Sequence, residues 1–219
     1  VKLPGIGHSS PIGWEDRVIV TSAANKGEKR FIECYRADTG KPLWSEELGG
    51  NTHHKHGLNS FASSTPVTDG KRVYVSWGDN DEYFIVAHDF KSGAEIWRTQ
   101  LKPSLSKHGL NSFASSTPVT DGKRVYVSWG DNDEYFIVAH DFKNGKELWR
   151  TQLKPSLSKH GHGTAVSPVL FEDLVIILNE QDTGPGYIAA LDKATGKERW
   201  KIERKIEIMT YATPIIIEV

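Results

Sequence analysis

Apolar residues along this chain come in short bursts that alternate or run for five or six positions, and turn signals cut each burst off. Arg72-Val73-Tyr74-Val75-Ser76-Trp77 and Tyr83-Phe84-Ile85-Val86-Ala87-His88 are rich in β-branched and aromatic residues, the composition that suits a pleated, half-buried surface. Asp69-Gly70, Gly78-Asp79-Asn80-Asp81 and Lys91-Ser92-Gly93 punctuate them, and Asp-Gly is among the strongest short hairpin signals. Together with Ser63-Ser64-Thr65-Pro66-Val67 and Glu95-Ile96-Trp97-Arg98-Thr99, the pattern predicts four short strands in about 40 residues. No stretch carries helical periodicity over a useful length.

The same four-strand pattern recurs down the chain. Residues 56–107 and 108–159 are one 52-residue unit written twice, differing only at Ser92/Asn144, Ala94/Lys146 and Ile96/Leu148. Such near-identity marks a recent duplication, an engineered repeat or an error in assembling the sequence. More diverged copies flank the pair. Trp44, Trp97, Trp149 and Trp200 recur at spacings of 53, 52 and 51, and Pro11, Pro66, Pro118, Pro168 and Pro214 open successive units. Four-stranded units of this length in tandem are the signature of propeller blades. The expected fold is an all-β propeller segment over 1–219. Its blades fall at about 9–48, 63–101, 115–153 and 165–204, and a partial blade at 210–219 is expected to supply the first strand of a fifth.

Ala190-Leu191-Asp192-Lys193-Ala194-Thr195-Gly196-Lys197-Glu198-Arg199-Trp200 resembles the repeat signature of the pyrroloquinoline-quinone (PQQ)-like propeller family, A-x-D-x-x-T-G-K-x-x-W. The second and third units keep it as Ala87, Asp89, Gly93, Trp97 and Ala139, Asp141, Gly145, Trp149. The first keeps Thr39-Gly40-Lys41 and Trp44 but has Cys34 and Arg36 where Ala and Asp belong. The motif reads as structural: Asp89, Asp141 and Asp192 accept turn amides, and Gly40, Gly93, Gly145 and Gly196 supply positive φ. Trp44, Trp97, Trp149 and Trp200 are plates for packing between blades. The resemblance, which extends to bacterial propellers of the outer-membrane-assembly type, implies a ring of seven or eight blades, so the chain reads as an arc. It begins at Val1 and stops inside an apolar run, which suggests a piece of a longer protein. An arc exposes blade flanks and strand edges, and self-association through them is expected.

Charge narrows the partners. Lys plus Arg number 27 and Asp plus Glu 28, for a formal net charge of −1, so no global field favours nucleic acid, and none is expected as a partner. The apolar run Leu174–Leu178 is far too short for a transmembrane segment. A lone cysteine, Cys34, excludes an internal disulfide framework and a cysteine zinc site.

Two clusters carry candidate chemistry. His53, His54 and His56 crowd together before an inner strand, with His108, His160 and His162 at comparable inter-blade positions. They read first as loop histidines that cap strand ends, with transition-metal binding as the chemical alternative. Asp79 and Asp81, with their copies Asp131 and Asp133, lie in D-N-D-E loops whose oxygens would suit Ca²⁺, although the spacing is not that of a known calcium loop. Asn179-Glu180-Gln181-Asp182 is placed like those loops in the fourth unit.

No catalytic residue and no cofactor is expected. The reading is a non-catalytic scaffold that binds protein or a small ligand on a propeller face. The alternative is part of a PQQ- and Ca²⁺-dependent alcohol or sugar dehydrogenase, which the resemblance also allows. By the same resemblance the location is periplasmic or otherwise extracytoplasmic.

Overall fold

A computed structural model describes residues 1–52, 60–79, 82–101, 116–131, 134–154, 166–181, 184–205, 210 and 212–217. They form four antiparallel sheets, each of four strands in sequence order. The first holds β1 (Ile12–Trp14), β2 (Arg17–Ala24), β3 (Lys29–Arg36) and β4 (Pro42–Gly49). The second holds β5 (Val67–Thr68), β6 (Arg72–Asp79), β7 (Glu82–Asp89) and β8 (Glu95–Leu101). The third holds β9 (Val119–Thr120), β10 (Arg124–Asp131), β11 (Glu134–Asp141) and β12 (Glu147–Leu153). The fourth holds β13 (Val169–Phe171), β14 (Leu174–Asn179), β15 (Gly186–Asp192) and β16 (Glu198–Arg204). The fold is therefore the expected one: nearly all β, built of four-stranded antiparallel blades.

Two differences from the sequence pattern have local causes. The innermost strands are much shorter than expected: Ser63–Pro66 is outside the ladder and only Val67 and Thr68 pair with β6. A proline has no amide to give to a ladder, so pairing begins only after it. The central hairpins run longer than expected, closing with Asp79 opposite Glu82 and Asp131 opposite Glu134.

Every blade repeats one irregularity. Ala87 faces Trp97 across β7 and β8, but the next residue, His88, faces Glu95, so Ile96 is an extra residue. The same shift follows Cys34, Ala139 and Ala190. Such a bulge bends the outer strand and turns its neighbours, here leaving Ile96 and Leu148 exposed while Trp97 is turned inward. All three differences between the two copied units fall on this exposed turn and bulge, where packing does not discriminate.

The core lies between sheets. One buried cluster runs from Ile19 and Ile32 of the first blade through Val73, Val75, Trp77 and Ile85 of the second to Val125 and Val127 of the third. Another joins Tyr126, Tyr135 and Ile137 of the third to Val175, Ile177 and Tyr187 of the fourth. The second and third blades thus bury both faces against their neighbours, the arrangement of a repeat array in which every unit is stabilised by the next.

Candidate functional site

The residues of the repeat signature meet at the joints between blades. Asp89 Oδ1 accepts the amides of Lys91 at 3.0 Å and Ser92 at 2.8 Å, which fixes the turn. These bonds, the Ser92 amide foremost, hold the Asp89 carboxyl below its ordinary range. At Asp192 the Thr195 hydroxyl and then the Arg199 guanidinium do the same, bringing it to about 2. The turn ends at Gly93, φ +82°, and its equivalents Gly145 (+71°) and Gly196 (+70°). A Cβ on these glycines would lie 2.5–2.6 Å from Trp44, Trp97 and Trp149 of the preceding blade. Only glycine satisfies both the backbone angle and the ring.

The tryptophan then reaches across. Trp44 Nε1 donates to Phe90 O at 3.2 Å, Trp97 Nε1 to Phe142 O at 3.0 Å and Trp149 Nε1 to Lys193 O at 3.0 Å. Thr99 and Thr151 add bonds to Gly145 O and Gly196 O at 2.8 and 2.7 Å. Arg17 Nη1 donates to both Phe90 O and Lys91 O, and the guanidinium carbon lies 5.2 Å over the Phe90 ring, as that of Arg72 lies 4.7 Å over Phe142. Turn, glycine and ring thus form one device, made three times.

A second device wires the inner edge. Ser10 N donates to Thr65 Oγ1 (3.1 Å), Thr65 N to Thr117 Oγ1 (3.4 Å) and Thr117 N to Ser167 Oγ (2.9 Å), so each hydroxyl receives the amide of the blade before it. These residues and Thr213 line a groove of about 520 Å³ along the inner strands. The hydroxyl ladder escaped the sequence reading, although its signal is plain: Ser or Thr precedes the opening proline in each of the five units. The described residues 212–217 carry no ladder of their own. Behind them Glu180, buried, pairs with Arg204 and accepts from Thr210.

The chemical candidates are placed as follows. His53, His54, His56, His108, His160, His162, Asp81, Asp133 and Asp182 lie outside the described residues, and at Asp79 and Asp131 only the backbone is described. Among the described residues no three His, Cys, Asp or Glu side chains gather as metal ligands. Cys34 is fully buried and burial pushes its thiol up, so it acts as a small apolar residue. Two histidines that the sequence reading passed over, His88 and His140, are fully buried beside the joints, each with Nδ1 on the carbonyl of the turn glycine.

A test for a quinone cofactor turns on the aromatic rings. A stacked quinone needs an open tryptophan face; the indoles of Trp44, Trp97 and Trp149 lie against the next blade's glycine and spend their N–H groups there. Trp44, Trp97 and Trp149 therefore do not offer the open face that such a group needs.

These joints define the chain as a propeller of PQQ-like repeats. The profile of the family described as outer membrane protein assembly factor BamB matches residues 2–103 and 28–206, and the chain belongs to that family. Among curated proteins it is 26% identical over 209 residues to the serine/threonine-protein kinase AfsK of Streptomyces griseus, covering 93% of this chain and 22% of that protein. It is 23% identical over 191 residues to the outer membrane protein assembly factor BamB of Yersinia pestis, covering 86% and 41%. The BamB crystal structure from Moraxella catarrhalis superposes with a TM-score of 0.57 at 19% identity, over 92% of this chain and 50% of that one. A europium-containing methanol dehydrogenase gives 0.62 at 15% identity, over 89% and 41%. At such identities the likeness to the solved structures is one of fold. The chain spans half or less of the length of each of these relatives.

Proposed function

We propose that this chain is a non-catalytic scaffold, an arc of a larger propeller that holds proteins of outer-membrane assembly on its faces outside the cytoplasm. The observation that carries the reading is the use of the repeat signature: its Asp, Gly and Trp residues are spent on turns and joints, so the repeated part of the sequence builds a rigid platform. Family membership supports this kind of partner. No resident cofactor belongs to this reading, and the tryptophans of the first three repeat signatures are already engaged between blades.

Self-association is part of the same proposal. The outer face of the fourth blade exposes Trp200 at 37% and Ile202 at 58%, a surface that pairs with another blade wherever one is available. The test has two arms. A photoreactive residue at Glu82 or Glu134 should crosslink to a purified component of the outer-membrane assembly machinery, and dye-linked oxidation of alcohols and aldoses should stay at background after addition of PQQ and Ca²⁺. Cofactor-dependent turnover that chelation abolishes would replace the scaffold reading with the dehydrogenase one.

A further inference from the structure

The two copied units differ at the turn that closes each joint, and the difference is chemical. The second blade carries Ser92-Gly93 and the third carries Asn144-Gly145, the one asparagine in the chain that is followed by glycine. We infer that Asn144 is a site of spontaneous deamidation, and that the modification loosens the joint between the second and third blades.

The step needs only water. The Gly145 backbone nitrogen attacks Cγ of Asn144, the bond from Cγ to the side-chain nitrogen breaks, and ammonia leaves with the proton that the backbone amide gave up. The resulting succinimide takes up water across either of its two C–N bonds, giving aspartate or isoaspartate. Glycine favours the attack because no Cβ crowds the nucleophile. The turn also prepares the electrophile: Asn144 is exposed, and its Oδ1 accepts the Lys146 amide at 2.9 Å, which polarises the side-chain carbonyl and holds it against the neighbouring peptide. Among the described residues the nucleophile is held by one bond, Gly145 N to Asp141 O at 2.9 Å, so the attack proceeds through local opening of the turn.

The consequence follows from what Gly145 touches. Its carbonyl accepts from Thr99 of the preceding blade at 2.8 Å and from His140 at 3.0 Å, and its Cα lies under the Trp97 ring. Isoaspartate inserts a methylene into the main chain one residue earlier, so these contacts cannot all be kept. It also places a new carboxylate beside Asp141. The second blade, with serine at the matching position, is immune.

The experiment ages the folded chain in mildly alkaline buffer and follows residue 144 by peptide mass mapping and isoaspartate-specific methylation. Conversion should run about tenfold faster than at Asn25, whose follower Lys26 carries a Cβ beside its amide. Asn144→Ser, which copies the second blade, should abolish the signal with no change in fold. Residue 144 remaining an amide while the urea-unfolded chain converts would overturn the site. Aged protein rich in isoaspartate should show a lower denaturation midpoint that enzymatic repair restores; an unchanged midpoint would overturn the loosening of the joint.

Discussion

Trp97 and Trp200 are the same side chain in the same register, each opposite an alanine of the neighbouring strand, Ala87 and Ala190. Trp97 is 8% exposed and Trp200 is 37% exposed. The difference is the next blade: Trp97 covers Gly145 and donates to Phe142 O, whereas among the described residues no following turn receives Trp200. Burial in this fold is a property of joints and not of blades, which is why a repeat array gains stability unit by unit. The opposite end of the arc teaches the complement. On the face of the first blade turned away from the second, Glu33 is buried and accepts from Tyr35 OH at 2.7 Å and from Ser22 Oγ at 3.4 Å. That pairing pushes the Tyr35 hydroxyl up to about 12, burial first and the carboxylate second. One end is closed by a satisfied polar cluster, and the other offers an apolar plate.

The largest expected effect tests this contrast directly. Trp97→Ala should lower stability by about 3–5 kcal/mol, the range for emptying a buried aromatic site, and Trp200→Ala by less than about 1 kcal/mol, as at an ordinary surface position. Urea denaturation of the two variants is the measurement. Equal losses would mean that the next blade contributes nothing to the burial of Trp97, and the joint account would fail.

A smaller pair separates backbone from packing. Gly122 has φ +75° and, among the described residues, no atom within 4 Å of where a Cβ would sit, while Gly145 has φ +71° with the Trp97 ring 2.5 Å from that point. Gly122→Ala should cost only the left-handed backbone term, about 1–2 kcal/mol. Gly145→Ala should cost that and about 1–3 kcal/mol more for displacing the ring. The backbone term is itself tolerated at the Gly122 turn, since Glu15 (φ 52°) and Glu172 (φ 48°) adopt it at the matching hairpin of the first and fourth blades. Matching losses at the two glycines would show that the ring yields freely.

How much of this was legible beforehand depends on periodicity. Strands, turns and the four described sheets were readable because β-branched runs and Asp-Gly or Gly punctuation recur in register four times. The inner edge was harder: Ser63–Thr65 looked like a strand, but the proline stops pairing and the hydroxyls serve as acceptors between blades. Single-copy features were least legible. Nothing in the spacing of Arg30 says that it takes the place held by Tyr83 in the second blade. Tyr83 lies 6.1 Å from Trp129, and Arg30 lies 5.9 Å from Trp77. A cation has replaced one ring of an aromatic pair, and only a partner in space reveals that.

Thr99→Val should have a modest effect, about 0.5–1.5 kcal/mol for one hydrogen bond. The lower end is expected, because Gly145 O keeps its bond to His140. The fourth blade has Ile202 at this position, where no following carbonyl is present among the described residues. Ile202→Thr should therefore leave stability unchanged within about 0.5 kcal/mol. A clear gain there would mean that the hydroxyl acts within its own blade.

The smallest expected effect is a slope with pH. His88 and His140 are fully buried, with Nδ1 at 2.9 and 3.0 Å from Gly93 O and Gly145 O. A carbonyl only accepts, so Nδ1 carries the proton, and among the described residues the buried Nε2 has no hydrogen-bond partner. Burial, the leading cause, lowers both pKa values below 6.5. It prevails over Glu95 and Glu46 near His88 and Glu147 near His140, which favour the cation; Arg98 and Arg150 oppose it. In the unfolded chain each imidazole takes up its proton near pH 6.5, and in the fold only at lower pH. Between those values the unfolded state binds more protons, so stability should hold above about pH 6.5 and fall as pH drops through that window. The carboxylates Asp89 and Asp192, held below their ordinary range, titrate in a separate, more acidic window. The fourth blade has Leu191 at the matching position, which makes His88→Leu with His140→Leu a substitution that the fold already accepts. The double variant should flatten the slope just below pH 6.5 and leave the acidic limb intact. Parallel stability curves for the two proteins would show that these histidines protonate equally well in the folded and unfolded chain.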